Sequence, residues 1–526
     1  MLDLCQEDRG YLYIVKTKYF VFYTNMTVQR DLGTSWNGLV VGTILLERCC
    51  VFLLFILSML HTFHLHISVN DTGDSGHESM AEPIINNRED GDFTKMSVPD
   101  MMKLYYGWLF PHDVMYSWLV YGNDSKHPQA DMSYFQKREF CFTLDGDVFV
   151  RYQSFKNGDE LQNAIKTRCP AKIDIGPVYN VDPQKRAAYM SGFAPQEREL
   201  VFDIDLTDYD DVRTCGKEAH ICNKCWPLMG AAIQILDKAL REDFGFKHVF
   251  FVFSGRRGVH AWVCDEKARQ LSDEARSAIA NYLSVYKGQE KGVPKLSTGL
   301  ESHPFISKAY DILLKTFETT LLSNQRLLED EEQTKNILNM LPQVVREAVL
   351  VDWKRIDKED VEEESCLSLR RWESIKECTK KECSKQLKSN PKDARSVKLT
   401  EKAVKDVVFA YAYPRLDIEV SKKMNHLLKA PFCVHPKTGK VCVPIDPKHA
   451  WTFDPDTVCT VGQLLNELNQ NNNQGGDKVT YMETGMGKAV NTFRHCFLDS
   501  LMKDNKNVLA EKARQSSARH EENLAW

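Results

Sequence analysis

The clearest chemistry in this sequence of 526 residues is a pair of aspartates one residue apart at the end of an apolar run. The stretch ELVFDIDLTDYDDVRTCGKEAHICNKCW (199–226) carries Asp203 and Asp205, with a Cys/His cluster close behind. In an extended strand alternate side chains share a face, so both aspartates point one way while Phe202 and Ile204 point the other. Two acids held so close repel each other. A divalent cation relieves the repulsion, and a set of hard oxygen ligands suits Mg²⁺ or Mn²⁺. Asp208, Asp210 and Asp211, which follow, read as a solvent-facing turn.

The cluster Cys215, His220, Cys222 and Cys225 has the spacing C-x4-H-x-C-x2-C. Four such ligands suit tetrahedral Zn²⁺, and a complete set leaves no open coordination position, which marks a structural site. A redox pair is the other use of C-x2-C, but it needs a helix directly behind the first cysteine of a thioredoxin-like unit. The upstream Cys and His favour zinc. The chain holds 16 cysteines with no short-spaced even framework. They read as free thiols plus one metal cluster in a reducing, intracellular compartment. A third motif, HVFFVFSGRRGVHAWVCD (248–265), predicts a strand, a Gly-Arg-rich turn and a returning strand. Its two glycines allow close backbone approach to a ligand. Arg256 and Arg257 offer fork-shaped donors suited to phosphate, and His260 follows on the second strand. Near a metal-type carboxylate pair, such a turn fits a metal-bound triphosphate.

These residues need elements to hold them. Two β-type runs, 138–144 and 147–155, flank Asp145-Gly146 as a hairpin signal, and a third, 171–179, puts Lys172 and Asp174 on one face. Alternation sets Glu139 and Arg151 apart from their apolar neighbours. Residues 227–244 predict a helix with proline in its first turn and Gly245 as its stop. The aromatic stretch 100–122 reads as core packing. Residues 302–388 carry leucines at helical spacing amid Lys and Glu, a helical insertion closed by Ser389-Asn390-Pro391. The chain is mildly acidic, with 68 Lys+Arg against 73 Asp+Glu, so contact with nucleic acid must come from local basic patches. One such patch is 395–440, with ten Lys/Arg against four Asp/Glu. It holds a predicted strand, 413–420, that carries a third acid, Asp417, followed by His426, Lys429, His435 and Lys437.

Length predicts two to four domains. Composition divides the chain into an atypical leader (1–95), a first core segment (96–300) with the knuckle at 215–225, a helical subdomain (301–390), a second core segment (391–468) and a polar C-terminal tail (469–526). The leader contains an apolar segment, 38–60, interrupted by Glu47 and Arg48, and a polar linker, 70–95. A membrane span there is disfavoured, since each charge costs about 2.5–3.5 kcal/mol near a helix centre. We expect the leader to be dispensable, with Met80 or Met96 as the working start.

FDIDLTDYDD with the knuckle, SGRRGVHAWVCD, PRLDIEVSKKMNHLLKAPFCVHPKTG, REFCFTL, VRYQSF and KIDIGPVY resemble, in order, the catalytic small subunit of eukaryotic and archaeal DNA primases. The resemblance implies an α/β (α+β) fold, a mixed-sheet primase core with a zinc knuckle and an inserted helical subdomain. It also implies synthesis of short RNA primers from ribonucleoside triphosphates on single-stranded DNA. Asp203, Asp205 and Asp417 match the family's metal-binding acids, for two Mg²⁺ or Mn²⁺ ions, and Glu139 matches a further active-site acid. Ser254, Arg256, Arg257 and His260 match the triphosphate hairpin. Asn425, His426, Lys429 and His435 match a second nucleotide-contacting segment, and Arg151, Lys172 and Asp174 match substrate contacts. The implied partners are an iron-sulfur large subunit and the DNA polymerase alpha complex, in the nucleus. One departure is visible. The eukaryotic knuckle begins with adjacent cysteines, whereas Gly216 follows Cys215 here, so His220 is the expected fourth zinc ligand, as in the archaeal order. A repair-type primase-polymerase is a rival, but would carry a separate zinc-binding tail that the region after Cys496 does not supply. A non-enzymatic zinc and nucleic-acid scaffold is another, opposed by the presence of all three acids and the basic turn.

Overall fold

The computed structural model describes residues 93–524 apart from 128, 190, 291, 302, 359–365 and 473–479, together with four short strands before residue 22. The chain divides into two units, Met1–Glu82 and Pro83–Trp526. In the first, Asp3–Glu7 pairs antiparallel with Gly10–Ile14, and Lys16–Thr17 with Phe20–Val21. The apolar segment 38–60 and the linker up to residue 92 lie outside the described residues. Among the described residues no helix is long and apolar enough to cross a membrane.

The second unit has strands β1 (Arg138–Leu144), β2 (Val148–Gln153), β3 (Lys172–Tyr179), β4 (Pro195–Glu197), β5 (Leu200–Asp205), β6 (Val249–Phe253), β7 (Gly258–Val263), β8 (Tyr286–Glu290), β9 (Val293–Leu296), β10 (Leu428–Lys429) and β11 (Pro444–Ile445). One sheet runs β10-β3-β1-β2, with β4 also on β3; the other runs β11-β6-β7-β5; β8 and β9 form a hairpin. Helices and sheets combine as the α+β class requires. Every pairing in the two sheets is antiparallel, so the sheets are not mixed in strand direction. The short turns at Asp145–Asp147 and 254–257 explain this, because parallel neighbours need long crossovers.

Strands β6 and β7 are buried along their whole length because both faces are covered. Phe251, Phe253, Val259 and Ala261 pack in one core with the helix Trp226–Glu242. Phe250, Val252 and Trp262 pack in a second core with Phe140, Phe142 and Ile175 of the other sheet. Trp118 stands edge-on against Phe250 at 5.1 Å and Trp262 at 5.3 Å. The aromatic stretch is core, as expected. Tyr105 and Tyr106 are fully buried, and their hydroxyls donate to the carbonyls of Phe432 (2.6 Å) and Pro170 (2.7 Å). Burial of these rings therefore leaves no phenol unpaired. The helices Pro304–Thr316, Glu331–Met340, Gln343–Ile356, Leu367–Ser389 and Ala394–Ala412 follow, the last two separated at Asn390-Pro391.

Two expectations change here. Residues 413–420 are not a strand: Asp417 caps a short helix, Ile418–Lys422, by accepting from the Glu419 backbone N–H. Proline at 414 and an Asp that competes for local N–H groups favour a cap over a ladder. Nor is 469–526 only a polar tail. It forms the helices Gly485–Phe493 and Asp499–Leu524, and Val490, Phe493, Phe497 and Leu501 are buried in the second core. Their apolar positions are spaced for one helical face, which the Asn/Gln-rich composition hides.

The two sheets are joined by buried charge. Glu199, immediately before β5, receives both Nη atoms of Arg138 from β1 at 2.9 and 3.0 Å, Nη1 of Arg198 at 3.1 Å and the Tyr121 hydroxyl at 2.7 Å. All three charged side chains are essentially inaccessible. Burial alone would raise the Glu199 pKa, but Arg138 and then Arg198 outweigh it and hold the carboxyl at about 2, against an ordinary 4.5. A depressed carboxylate contributes stability above its unfolded pKa and loses it as pH falls through the folded value. We predict that Glu199→Gln, which leaves two buried guanidiniums undercompensated, costs about 3–5 kcal/mol at neutral pH. The gap to wild type, followed by urea unfolding, should narrow as pH falls from about 4.5 towards 2.

Candidate active site

Period-2 alternation holds in β5. Phe202 and Ile204 enter the first core, while Asp203 and Asp205 share the opposite face with buried Val201. Pairing with β7 sets Asp203 opposite His260 and Asp205 opposite Gly258. Any Cβ at position 258 would stand 2.5 Å from the Ile204 carbonyl oxygen, so glycine is required for this approach. The third acid arrives from a distant segment. The Asp417 backbone N–H donates to the Asp203 carbonyl at 3.0 Å, and both side chains line one cleft of about 1010 Å³ with Asp205, Asp208 and Arg415.

The carboxylates are not equivalent. Burial, then Asp205 and Asp417, push Asp203 up to about 6. Burial works the same way on Asp205, but the Thr207 backbone N–H (2.9 Å), Arg257 Nε (2.8 and 2.9 Å) and the Thr207 hydroxyl (2.8 Å) hold it below its usual range. Asp208 is also pushed up to about 6, by burial and then by Asp205. It belongs to the acidic cleft rather than to a solvated turn. Asp205 caps a 3₁₀ turn, Leu206–Tyr209, in which residues three apart eclipse, and that i, i+3 spacing was the available signal. Asp210 and Asp211 line the same cleft, but their carboxylates are engaged by the protein. Asp210 accepts from Arg213 Nε (2.7 Å) and the Glu218 N–H (2.7 Å), and Asp211 pairs with Arg415. An acidic cleft in which Asp203 and Asp417 make no salt bridge to lysine or arginine among the described residues fits a divalent ion.

Facing the acids is a cationic wall. The turn between β6 and β7 is closed by Ser254, whose Oγ accepts from the Gly258 N–H at 3.0 Å, and Gly255 adopts φ +85°. The two arginines of the turn diverge. Arg257 reaches Asp205, whereas Arg256 lines a separate cavity of about 420 Å³ with His220, Lys437 and Lys440. Lys429 on β10, in register with Asp174, donates to the Ser254 carbonyl. Asp174 in turn holds Lys172 at 2.9 Å. The 435–440 turn is latched to the first turn by the Thr438 hydroxyl on the Gly255 carbonyl at 2.7 Å. Burial and then Lys429, Arg256, Lys437 and Arg257 push His435 down to about 4, which shows how strongly positive this pocket is.

His260 lies between the two walls, its Nε2 3.6 Å from an Asp203 oxygen and its Nδ1 buried without a hydrogen-bond partner among the described residues. Asn425 and His426 are exposed, and the His426 carbonyl accepts from Arg198 Nε at 3.1 Å. Glu139 is apart from the three aspartates in its bonding. It is fully buried and takes Arg151 at 3.0 and 3.3 Å, the Tyr152 N–H at 3.2 Å and the Tyr179 hydroxyl at 3.1 Å.

In the knuckle, the sulfurs of Cys215, Cys222 and Cys225 lie within 4.8 Å of one another. Cys222 and Cys225 are 3.7 Å apart, far beyond a disulfide and close to the ~3.8 Å edge expected of thiolates around zinc at ~2.3 Å. Arg213 organises the loop by donating to the carbonyls of His220 and Glu218 and to Cys225 Sγ (3.8 Å). Gln325 ties it to the helical layer through Thr214 and the Lys224 carbonyl. The His220 ring does not belong to the sulfur set. It packs over Gly216, where an added Cβ would stand 2.2 Å from the ring.

The sequence model of the DNA primase small subunit matches residues 202–447, which span the three aspartates, the turn and the knuckle. The DNA primase small subunit of Schizosaccharomyces pombe is 40% identical, over 77% of this chain and 86% of its own length. That of Drosophila melanogaster is 41% identical, over 70% and 82%. The chain belongs to the DNA primase small-subunit family. A further primase small subunit, PriS of Pyrobaculum calidifontis, is 30% identical over 28% of this chain and 47% of its own. The function is therefore the catalytic one of DNA primase in replication, that of a nucleotidyltransferase making RNA primers, and primase catalysis uses divalent metal.

Burial and then Lys429 push His260 down to about 3, well below its ordinary 6.5. We predict that its imidazole NMR signals do not titrate between about pH 5 and 8 in the free protein. Lys429→Met, which removes the second cause, should move that pKa upward.

Proposed function

We propose that this primase subunit joins ribonucleotides on a single-stranded DNA template at the cleft between Asp203, Asp205 and Asp417 on one side and the cationic wall on the other. The observation that supports it is the convergence of three carboxylates from two distant segments opposite Arg257, His260, Lys429 and His435. Two divalent cations, Mg²⁺ or Mn²⁺, held by those carboxylates would lower the pKa of the attacking 3′-hydroxyl and neutralise the triphosphate. The new bond joins that oxygen to the α-phosphorus as the bond to the bridging oxygen breaks and pyrophosphate leaves. Arg257, now on Asp205, is within reach of both walls and exchanges its carboxylate for phosphate oxygens. Lys429 and His435 face the same phosphates, with Ser254 and Arg256 shaping the turn. His260, neutral and wedged against Asp203, has one ring N–H, which it would donate to a triphosphate oxygen from Nε2. Lys172, Asp174, Asn425 and His426 would contact the nucleotide, and Arg151, paired with the buried Glu139, would border the substrate.

Positioning carries most of this chemistry, because two free nucleotides lack the stacking a primer provides. That requirement fits assembly with an iron-sulfur large subunit and the DNA polymerase alpha complex in the nucleus. We predict that Asp203→Ala and Asp205→Ala each abolish primer synthesis on poly-dT with ATP and Mn²⁺ while leaving zinc content and fold intact. Primers made by the double variant would refute the assignment of these acids.

The knuckle is proposed to hold one structural zinc through Cys215, Cys222 and Cys225, with His220 as the fourth ligand after its ring swings off Gly216. His220→Ala should then lower the zinc content per chain, measured by atomic absorption. A content that stays at one zinc per chain would place water or another group in the fourth position.

A further inference from the structure

The outer strand of the first sheet carries a feature the catalytic assignments leave unused. Strand β2 is an edge strand, where exposed charge or proline normally prevents pairing with other chains. Here Val148 is 54% and Phe149 63% exposed. The register against β1 contains a one-residue bulge at 151–152, which brings Arg151 and the Tyr152 ring alongside Glu139 and Tyr179. Tyr152 adopts φ +59°, a conformation an L-residue keeps only where its surroundings hold it. Its ring lies under the Arg186 guanidinium at 4.1 Å and that of Arg151 at 4.8 Å. Tyr179 and Phe193 continue the row, stacked at 4.0 Å with their planes 13° apart. At the other end, Lys172 Nζ stands 5.6 Å from the centre of the Phe149 ring, next to Asp174 and the active cleft.

The charges along this row are unequal. Glu139 is spent on Arg151 and Asp174 on Lys172. Asp182 is taken by the Ser154 hydroxyl at 2.6 Å and by Gln136 at 3.1 Å, with Lys185 at 3.7 Å. Arg186 has no carboxylate partner among the described residues, and the Lys185 side chain is largely exposed. Asp145 and Asp147, both exposed, lie beyond Phe149 at the hairpin tip and set a negative limit there. What remains is the exposed Phe149 ring, followed by Tyr152 beneath Arg186 and by the exposed end of Lys185, leading from the tip past the cleft. Proteins that track single strands use this combination, with bases stacked on rings and phosphates on cations.

We propose that the single-stranded DNA template runs along the outer side of β2, with a base on Phe149 and phosphates at Arg186 and Lys185. The proposal rests on the primase reading of the cleft and adds the strand's route to it. It is tested with the full chain by fluorescence anisotropy of a labelled oligo-dT, without nucleotide or divalent cation, for wild type, Phe149→Ala, Phe149→Trp and Arg186→Gln. Phe149→Ala should weaken binding about tenfold and Phe149→Trp restore it, in keeping with loss of one stacked base. Arg186→Gln should reduce the slope of log affinity against log salt by about 0.7, one phosphate contact on a single strand. The KM for ATP at saturating poly-dT should not change in either variant. Unaltered oligonucleotide affinity in both variants overturns the route while wild-type primer synthesis leaves the activity standing. A raised KM for ATP with unaltered affinity assigns the row to the nucleotide, and lost binding of the large subunit with unaltered affinity assigns it to that interface; either result overturns the proposal.

Discussion

The buried carboxylate of Glu199 between Arg138 and Arg198 is the contact on which the geometry of the cleft depends. It sits one residue ahead of β5, the strand that carries Asp203 and Asp205, and its bidentate partner belongs to β1 of the other sheet. Arg198 extends the same network to the His426 carbonyl, and so to the segment that leads into Lys429. A charge trio taken out of water is costly unless its geometry is satisfied, and here the Tyr121 hydroxyl and the Gly176 carbonyl add to it, although Arg138 Nε and Arg198 Nη2 find no partner among the described residues. The two guanidiniums share one carboxylate unequally. Burial and the nearby Arg138 pull the Arg198 pKa down, while the bidentate pair stays firmly charged. Such a network has one good arrangement, which helps to fix the angle and distance between two sheets that also share the second core.

From that fixed joint follows the electrostatic polarity of the cleft. Like charges are crowded on both sides, carboxylates on β5 and the Asp417 cap, cations on the turn, β10 and the 435–440 turn. Each side is unfavourable alone, which is visible in the raised Asp203 and the lowered His435. A metal-bound polyphosphate, as proposed for this cleft, would relieve both at once. The Arg257–Asp205 pair is the protein's own partial neutralisation of this gap.

Much of the site was legible along the chain. The DID alternation, the Gly-Arg turn and the C-x2-C spacing are local patterns, and the strand faces, the turn and the approach of the two sulfurs follow from them. The failures are equally specific. Leu416 and Ile418 alternate around Asp417 as in a strand, but its own side chain prefers the Glu419 N–H. Nothing local to Asp208 shows that Asp205 and Asp417 share its cleft. The composition of the C-terminal region suggests a tail, although Phe493 and Phe497 stand at one helical interval.

The amino-acid order by itself determined which groups share a face, which turns can form and which cysteines can converge, because these depend on covalent geometry over a few residues. Only the tertiary structure decided that Asp417 meets Asp203, that Arg256 and Arg257 part company, that Arg151 is bound to Glu139, and that the His220 ring rests on Gly216 away from the sulfurs. Those outcomes depend on which distant surfaces exclude water from each other. That balance of desolvation and pairing is settled between segments and has no signature within any one of them.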